Sequence, residues 1–146
     1  MNGVDILNMN YEICDNKGPT ICLYKNDKGN IFGGYASISW EKNGGTCSAK
    51  DSFIFTLTNI FGIEPTKFKD KDTGKNVHHA SDYGPSFGEH DSDISIYNNF
   101  LNQDCQSRFP EQYDDTTGKG RSIFTGNTDS NVIEFKIKEI EVYKVD

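Results

Sequence analysis

Alternation of apolar and polar residues constrains this 146-residue chain more than any other feature. It is clearest over 52–59 (SFIFTLTN) and 132–145 (VIEFKIKEIEVYKV). A period of two places successive side chains on opposite faces of an extended strand. In 52–59, Phe53, Phe55 and Leu57 form the aromatic-rich phase and are expected to point inward, with Ile54, Thr56 and Thr58 opposite. In 132–145, Ile133, Phe135 and Ile137 hold odd positions, then Ile140 and Val142 even ones. The slip at Lys138-Glu139 predicts a β-bulge or a break between two strands. Shorter runs at 20–25 (TICLYK) and 31–40 flank the turn formers of 26–30 (NDKGN) and read as a β-hairpin. On its second strand Ala36, Ile38 and Trp40 share the inward face, and Gly33-Gly34 predicts a bulge or a close backbone approach. Ile94 and Ile96 are expected inward from a strand over 92–97, and 122–124 reads as one more brief strand.

Only 4–14 carries helical spacing, with Val4, Leu7, Tyr11 and Cys14 on one stripe. Residues 42–52 read as a polar loop, the charge run 67–72 as a solvated strand end, and 98–120 as irregular. No linker and no repeat interrupts 1–146. Many short strands joined by turns predict one mainly β domain, an antiparallel β-sandwich with a few short helices.

Composition narrows the function. Twenty-two acidic against fifteen basic residues leave a net charge of −7, and the only arginines are Arg108 and Arg121. Nucleic-acid binding needs clustered cations to neutralise phosphates, so that class is disfavoured. Mean hydropathy is low, at −0.67. Ten Phe, seven Tyr and one Trp in patterned segments nonetheless supply a core. No apolar run approaches the ~20 residues of a membrane span. Residues 1–10 lack the basic start and apolar stretch of a secretory signal, so a cytoplasmic location is expected.

The residues that can carry chemistry form no recognised constellation. Cys14, Cys22, Cys47 and Cys105 include no CxxC pair, so zinc and other metals are not expected, and the cysteines read as free, buried or half-buried thiols. Cys47, near Lys50 in a Gly-rich stretch, is the candidate for a reactive thiol. His78 and His79 are adjacent on a strand, so one is expected inside and one in solvent. Glu89, Asp91 and Asp93 alternate in GEHDSD; they read as a solvated acidic loop, with calcium binding as the alternative. Gly118-Lys119-Gly120 lacks the strand–loop–helix setting of a phosphate cradle. No catalytic residue and no cofactor is assigned.

Four segments, in this order and spacing, resemble the TLDc domain family. They are 14–40 (CDNKGPTICLYKNDKGNIFGGYASISW), 52–59 (SFIFTLTN), 78–88 (HHASDYGPSFG) and 136–145 (KIKEIEVYKV). The resemblance implies a two-sheet antiparallel sandwich with short flanking helices. It marks Gly33, Gly34, Tyr35, Trp40, Gly84, Pro85 and Gly88 as structural motif residues and implies no catalytic ones. It also implies a part in oxidative-stress resistance and, for some members, binding to the vacuolar proton-pumping ATPase. Two parts depart from the family pattern. Its domains open with a strand before the first helix, whereas this chain is expected to begin at or inside that helix. The loop 98–117 is the least similar part. The expectation is a non-catalytic interaction module. The alternatives are a component of another assembly, such as a cytoskeletal one, or a thiol-dependent antioxidant enzyme reducing peroxide.

Overall fold

The computed structural model describes residues 3–6, 18–41 and 44–145, with the backbone alone for 3–6. Among these residues eleven strands and one short helix follow in chain order: β1 Gly3–Ile6, β2 Thr20–Asn26, β3 Ile31–Ala36, β4 Gly45–Cys47, β5 Phe53–Thr58, β6 Thr66–Lys69, β7 Val77–His79, β8 Ser86–Phe87, β9 Cys105–Gln106, α1 Ser122–Thr125, β10 Glu134–Phe135 and β11 Ile137–Lys144. The first layer is an antiparallel sheet of order β1-β11-β2-β3-β5-β6. The second is built from β4-β7-β8 and β10-β9. Bridges from Phe87 to Ile94 and from Ser95 to Gln106 join these two pieces through 94–95. The fold is mainly β, a two-layer antiparallel sandwich.

Pairing follows from the alternating runs. β2 and β3 form the expected hairpin, with Leu23 opposite Gly33 and Tyr24 opposite Phe32. Its turn is tied by Asn26, whose Oδ1 accepts the backbone N–H of Lys28 and Asn30, both at 3.0 Å. In β11 the register against β2 shifts between Ile137 and Glu139, at the predicted phase slip. The inner face of the large sheet carries Cys22, Tyr24, Phe32, Ile54, Phe68 and Ile140, all essentially without exposure. Phe32 packs between Tyr24, Phe124 and Phe135, with ring centroids 5.1 to 5.5 Å away. Phe87 from the second layer lies on β3, where a Cβ on Gly34 would sit 2.5 Å from its ring. That is the close approach the Gly33-Gly34 pair predicted, and only glycine allows it.

Several expectations are corrected. The helix over 4–14 is not what opens the chain: Gly3–Ile6 is a strand paired with β11, and 7–14 lies outside the described residues. In β5 the phase is reversed. Ile54 and Thr56 face the core, while Leu57 is 40 % exposed. Phe53 is half-buried and Phe55 is buried on the outer face, in a Tyr35–Phe53–Phe55 ring row. Both phases of this strand are apolar enough to be covered, so the aromatic count chose the wrong one. Ile38 is half-buried, packed against the core. Residues 122–124 belong to a helical turn, not a strand. Its Ile123 and Phe124 are fully buried, and Asn26 and Asn30 donate to the carbonyls of Ile123, Phe124 and Thr125 that the turn leaves open. The loop 42–52 contains β4, and the irregular stretch contains β9.

Candidate functional site

A group of titratable side chains lies on the second layer, where β7 meets the loop 80–97. His78 on β7 is buried; its Nδ1 lies 2.9 Å from Thr46 Oγ1 on β4. Tyr83 and His90 pack edge-on against it, with ring centroids at 4.9 and 5.3 Å. Tyr83 Oη sits 2.8 Å from His90 Nε2 and donates to Asp91 Oδ1 at 2.9 Å. Tyr97 donates to the same carboxylate oxygen, also at 2.9 Å. Asp91 reaches this position with φ at 53°, in the left-handed region that few non-glycine residues occupy. His90 is the member open to solvent, its side chain 60 % exposed and 3.4 Å from Asp91 Oδ2.

The charges of this group follow from burial. Burial, and then the Asp91 carboxylate, push both phenols up, Tyr97 to about 12, so both stay protonated at neutral pH. Burial and neighbouring His90 push His78 down, against the weaker pull of Asp91 and Glu89. His78 is therefore neutral at pH 7, and its Nε2 has no hydrogen-bond partner among the described residues. His78 thus meets Tyr83 and His90 through its ring edge, while the two phenols are tied together by the Asp91 carboxylate.

The expectation that one of the two adjacent histidines is solvated is corrected, because both are buried. The short sheet is covered on both sides at this point. His79 stacks on Trp40 with centroids 5.1 Å apart, and its Nδ1 accepts the Glu41 N–H at 2.7 Å. The hydrogen of neutral His79 therefore sits on Nε2, which is buried and without a partner among the described residues. Burial, the largest influence, drives the His79 pKa down, and Glu41 only partly opposes it. The unfolded chain titrates near ~6.5. Between that value and the lower folded one the unfolded state binds more protons, so stability rises with pH. Thermal melts are expected to show Tm falling as pH drops from about 7.5 to about 5.5, the histidine range. His79→Gln is expected to flatten that slope, and an unchanged slope would contradict the assignment.

The three acidic residues proposed for calcium are not brought together. Glu89 pairs with Lys75 at 3.3 Å. Asp91 is held by the two tyrosines. Asp93 is fully buried: it accepts the backbone N–H of Glu111, Gln112 and Tyr113 at 2.8 to 3.1 Å, and the Ser92 hydroxyl at 2.9 Å. The expectation of a wholly solvated loop is corrected in the same way, since Asp93 pins the chain 111–113 to the second layer. Among the described residues no three His, Cys, Asp or Glu side chains form a metal-holding group. The Gly118-Lys119-Gly120 amides are all taken up within their own loop, that of Lys119 by the Thr117 hydroxyl. Asp115 accepts the N–H of Thr117, Gly118 and Gly120, which outweighs its partial burial and holds its carboxyl below the usual range.

The three described cysteines are free thiols. Cys22 and Cys105 are buried, and burial pushes Cys105 up to about 12. Cys47 is half-buried; its Sγ lies 3.1 Å from the Gly44 carbonyl, and burial and the Glu41 charge both raise its pKa. Cys14 lies outside the described residues.

Of the motif residues, Trp40, Gly34 and Pro85 lie where the two layers meet. Trp40 fills the core and donates from Nε1 to Thr20 Oγ1 at 2.8 Å. Tyr24 donates across the layers to the Pro85 carbonyl, beside buried Gly84. Gly88 has φ 98°, and a Cβ there would meet Ser92 Oγ at 2.2 Å and Asp93 Oδ1 at 2.6 Å. Tyr35 is half-buried on the outer face beside Phe53. Sequence reasoning missed Thr46, Tyr83 and Tyr97 as neighbours of His78, His90 and Asp91. No short spacing signals a group assembled by a turn and an isolated bridge between Tyr83 and Tyr97.

Fold and site together define a β-sandwich domain in which Trp40, Gly34 and Pro85 lie at the contact of its layers. The sequence matches the TLDc domain family over residues 2–146, so the chain belongs to that family. The family is generally linked to resistance to oxidative stress. Comparison with curated proteins finds no match. No helix among the described residues is long and apolar enough to cross a membrane.

Proposed function

We propose that this TLDc domain is a cytoplasmic protein-interaction module, without catalysis of its own, that serves oxidative-stress resistance by docking on the vacuolar proton-pumping ATPase. The observation that carries this reading is the state of its reactive groups. Cys47 and Cys105 are held as thiols at neutral pH, and Tyr83 and Tyr97 are both engaged by the Asp91 carboxylate. Direct peroxide reduction needs an accessible thiolate. The net charge of −7 supports a basic partner surface, because complementary potentials steer encounter. Peripheral subunits of the pump are the proposed partner.

Affinity capture with the purified domain, followed by titration against the captured subunits, tests this. Pump peripheral subunits are expected to be retained at low salt. They should be lost as added salt shortens the Debye length below ~8 Å. The companion assay is peroxide consumption by wild type and Cys47→Ser, where both are expected to match free cysteine. A fast wild-type rate abolished in Cys47→Ser, with no pump subunit captured, would replace this reading with a thiol enzyme.

A further inference from the structure

The outer face of the large sheet carries a row that reads the same in both directions once charge is reversed. One row across the strands runs Glu141, Leu23, Gly33, Phe55, Lys67 from β11 to β6. The next runs Tyr143, Ile21, Tyr35, Phe53, Lys69. Each has an apolar centre on β2, β3 and β5. The β11 flank carries Glu139 and Glu141, and the β6 flank carries Lys67 and Lys69. None of these four forms an ion pair among the described residues. Lys67 instead lies over the Phe53 ring, 4.1 Å from its centroid.

We propose that this face binds a second copy of the chain, sheet against sheet, about a two-fold axis that runs parallel to the strands along β3. That axis sends β11 over the partner copy's β6 and β2 over its β5. Glu141 then faces Lys67, Leu23 faces Phe55, and β3 lies on its own copy at Gly33 and Tyr35. Every contact occurs twice, as an isologous interface requires. The other in-plane axis, across the strands, would set Glu141 on Glu141 and Lys67 on Lys67, and like charges face to face are costly. The strands stay aligned, as in ordinary sheet-on-sheet packing.

Shape supports the same occupant. A groove of about 210 Å³ opens over β11, β2 and β3, lined by Leu23, Lys25, Ile31, Glu139 and Glu141. Leu57 stands out from β5 with 40 % exposure. The two-fold places the Leu57 of each copy above the groove of the other. Five strands about 4.8 Å apart and three side-chain rows give a footprint on the order of 400 Å² per copy. Stable interfaces bury roughly 800 Å² per partner, so the dimer is weak and concentration-dependent.

Sedimentation velocity from about 5 to about 500 μM, the range a contact of this size calls for, is the test. Wild type is expected to move from monomer toward dimer. Lys67→Glu alone, at an exposed side chain, and Glu141→Lys alone, at a half-buried one that accepts from the Tyr143 hydroxyl, are each expected to weaken self-association at least about tenfold, by setting like charges opposite one another. An equimolar mixture of the two variants is expected to dimerise again, since each then presents the charge the other lacks. Circular dichroism confirms that both variants are folded. A wild type that stays monomeric throughout would overturn the proposal. So would a dimer that either variant leaves intact, or one that the mixture fails to restore.

Discussion

Phe32→Ala is expected to remove about 3–5 kcal/mol of folding stability, the range for truncating a fully buried phenylalanine. Phe32 has no exposed surface, and three aromatic rings, Tyr24, Phe124 and Phe135, lie within 5.5 Å of its own. These rings come from β2, α1 and β10, so the cavity would open where the hairpin, the short helix and the second layer meet. Two of the three are anchored elsewhere: Tyr24 by its hydrogen bond to Pro85, and the Phe124 carbonyl by Asn26. Collapse into the void is therefore limited, which places the cost toward the upper end. A whole domain is stable by only about 5–15 kcal/mol, so the variant would unfold at far lower urea. Leu57→Ala, outward on the adjacent strand β5, is the control and should cost less than about 1 kcal/mol at low protein concentration. Equal midpoints for the two variants would show that the inner and outer faces have been exchanged.

That comparison also marks what can be read from the chain without coordinates. Alternation identified β2, β3, β5 and β11, and the slip at Lys138-Glu139 located the bulge, because two-residue periodicity is a direct imprint of the pleat. Face assignment in β5 failed because it rests on one side being polar. Here the inner side includes Thr56 and the outer side is aromatic. Strands of two or three residues, such as β4, β8 and β9, are too short to carry any period. The four residues of α1 span barely one turn, and β-branched Ile123 beside Phe124 imitates a strand. His78 and His79 were separated by the alternation rule, which holds only where one face of a sheet meets water. Trp40 covers one of these rings and Tyr83 with His90 the other. The polar group around Asp91 was visible only as isolated letters, since its members converge through turns.

Asp93→Ala is expected to cost about 2–4 kcal/mol, from backbone donors stripped of their acceptor at roughly 1–3 kcal/mol for each that stays buried. The carboxylate is fully buried and receives three consecutive amides, those of Glu111, Gln112 and Tyr113. The Tyr113 amide is shut away from water, whereas the other two are only partly covered, so the full penalty applies once and a reduced one twice. The loss has a direction in the fold. Residues 112–114 run beside the edge strand β6, where Lys71 donates to the Gln112 carbonyl and Asp114 to that of Lys69, both at 2.8 Å. Tyr113 in turn donates to the Asn76 carbonyl at 2.7 Å, at the start of β7. Asp93 thus holds a loop that closes the β6 edge of one sheet and reaches the other. Asp93→Asn keeps the shape but turns one acceptor oxygen into a donor facing an N–H, so it is expected to recover only part of the loss. Hydrogen exchange is the decisive measurement. The amides of 111–114 and Lys71 should lose protection in Asp93→Ala well before those of β2 and β3. Uniform loss across the chain, or none at 111–114, would show that this carboxylate does not pin the loop.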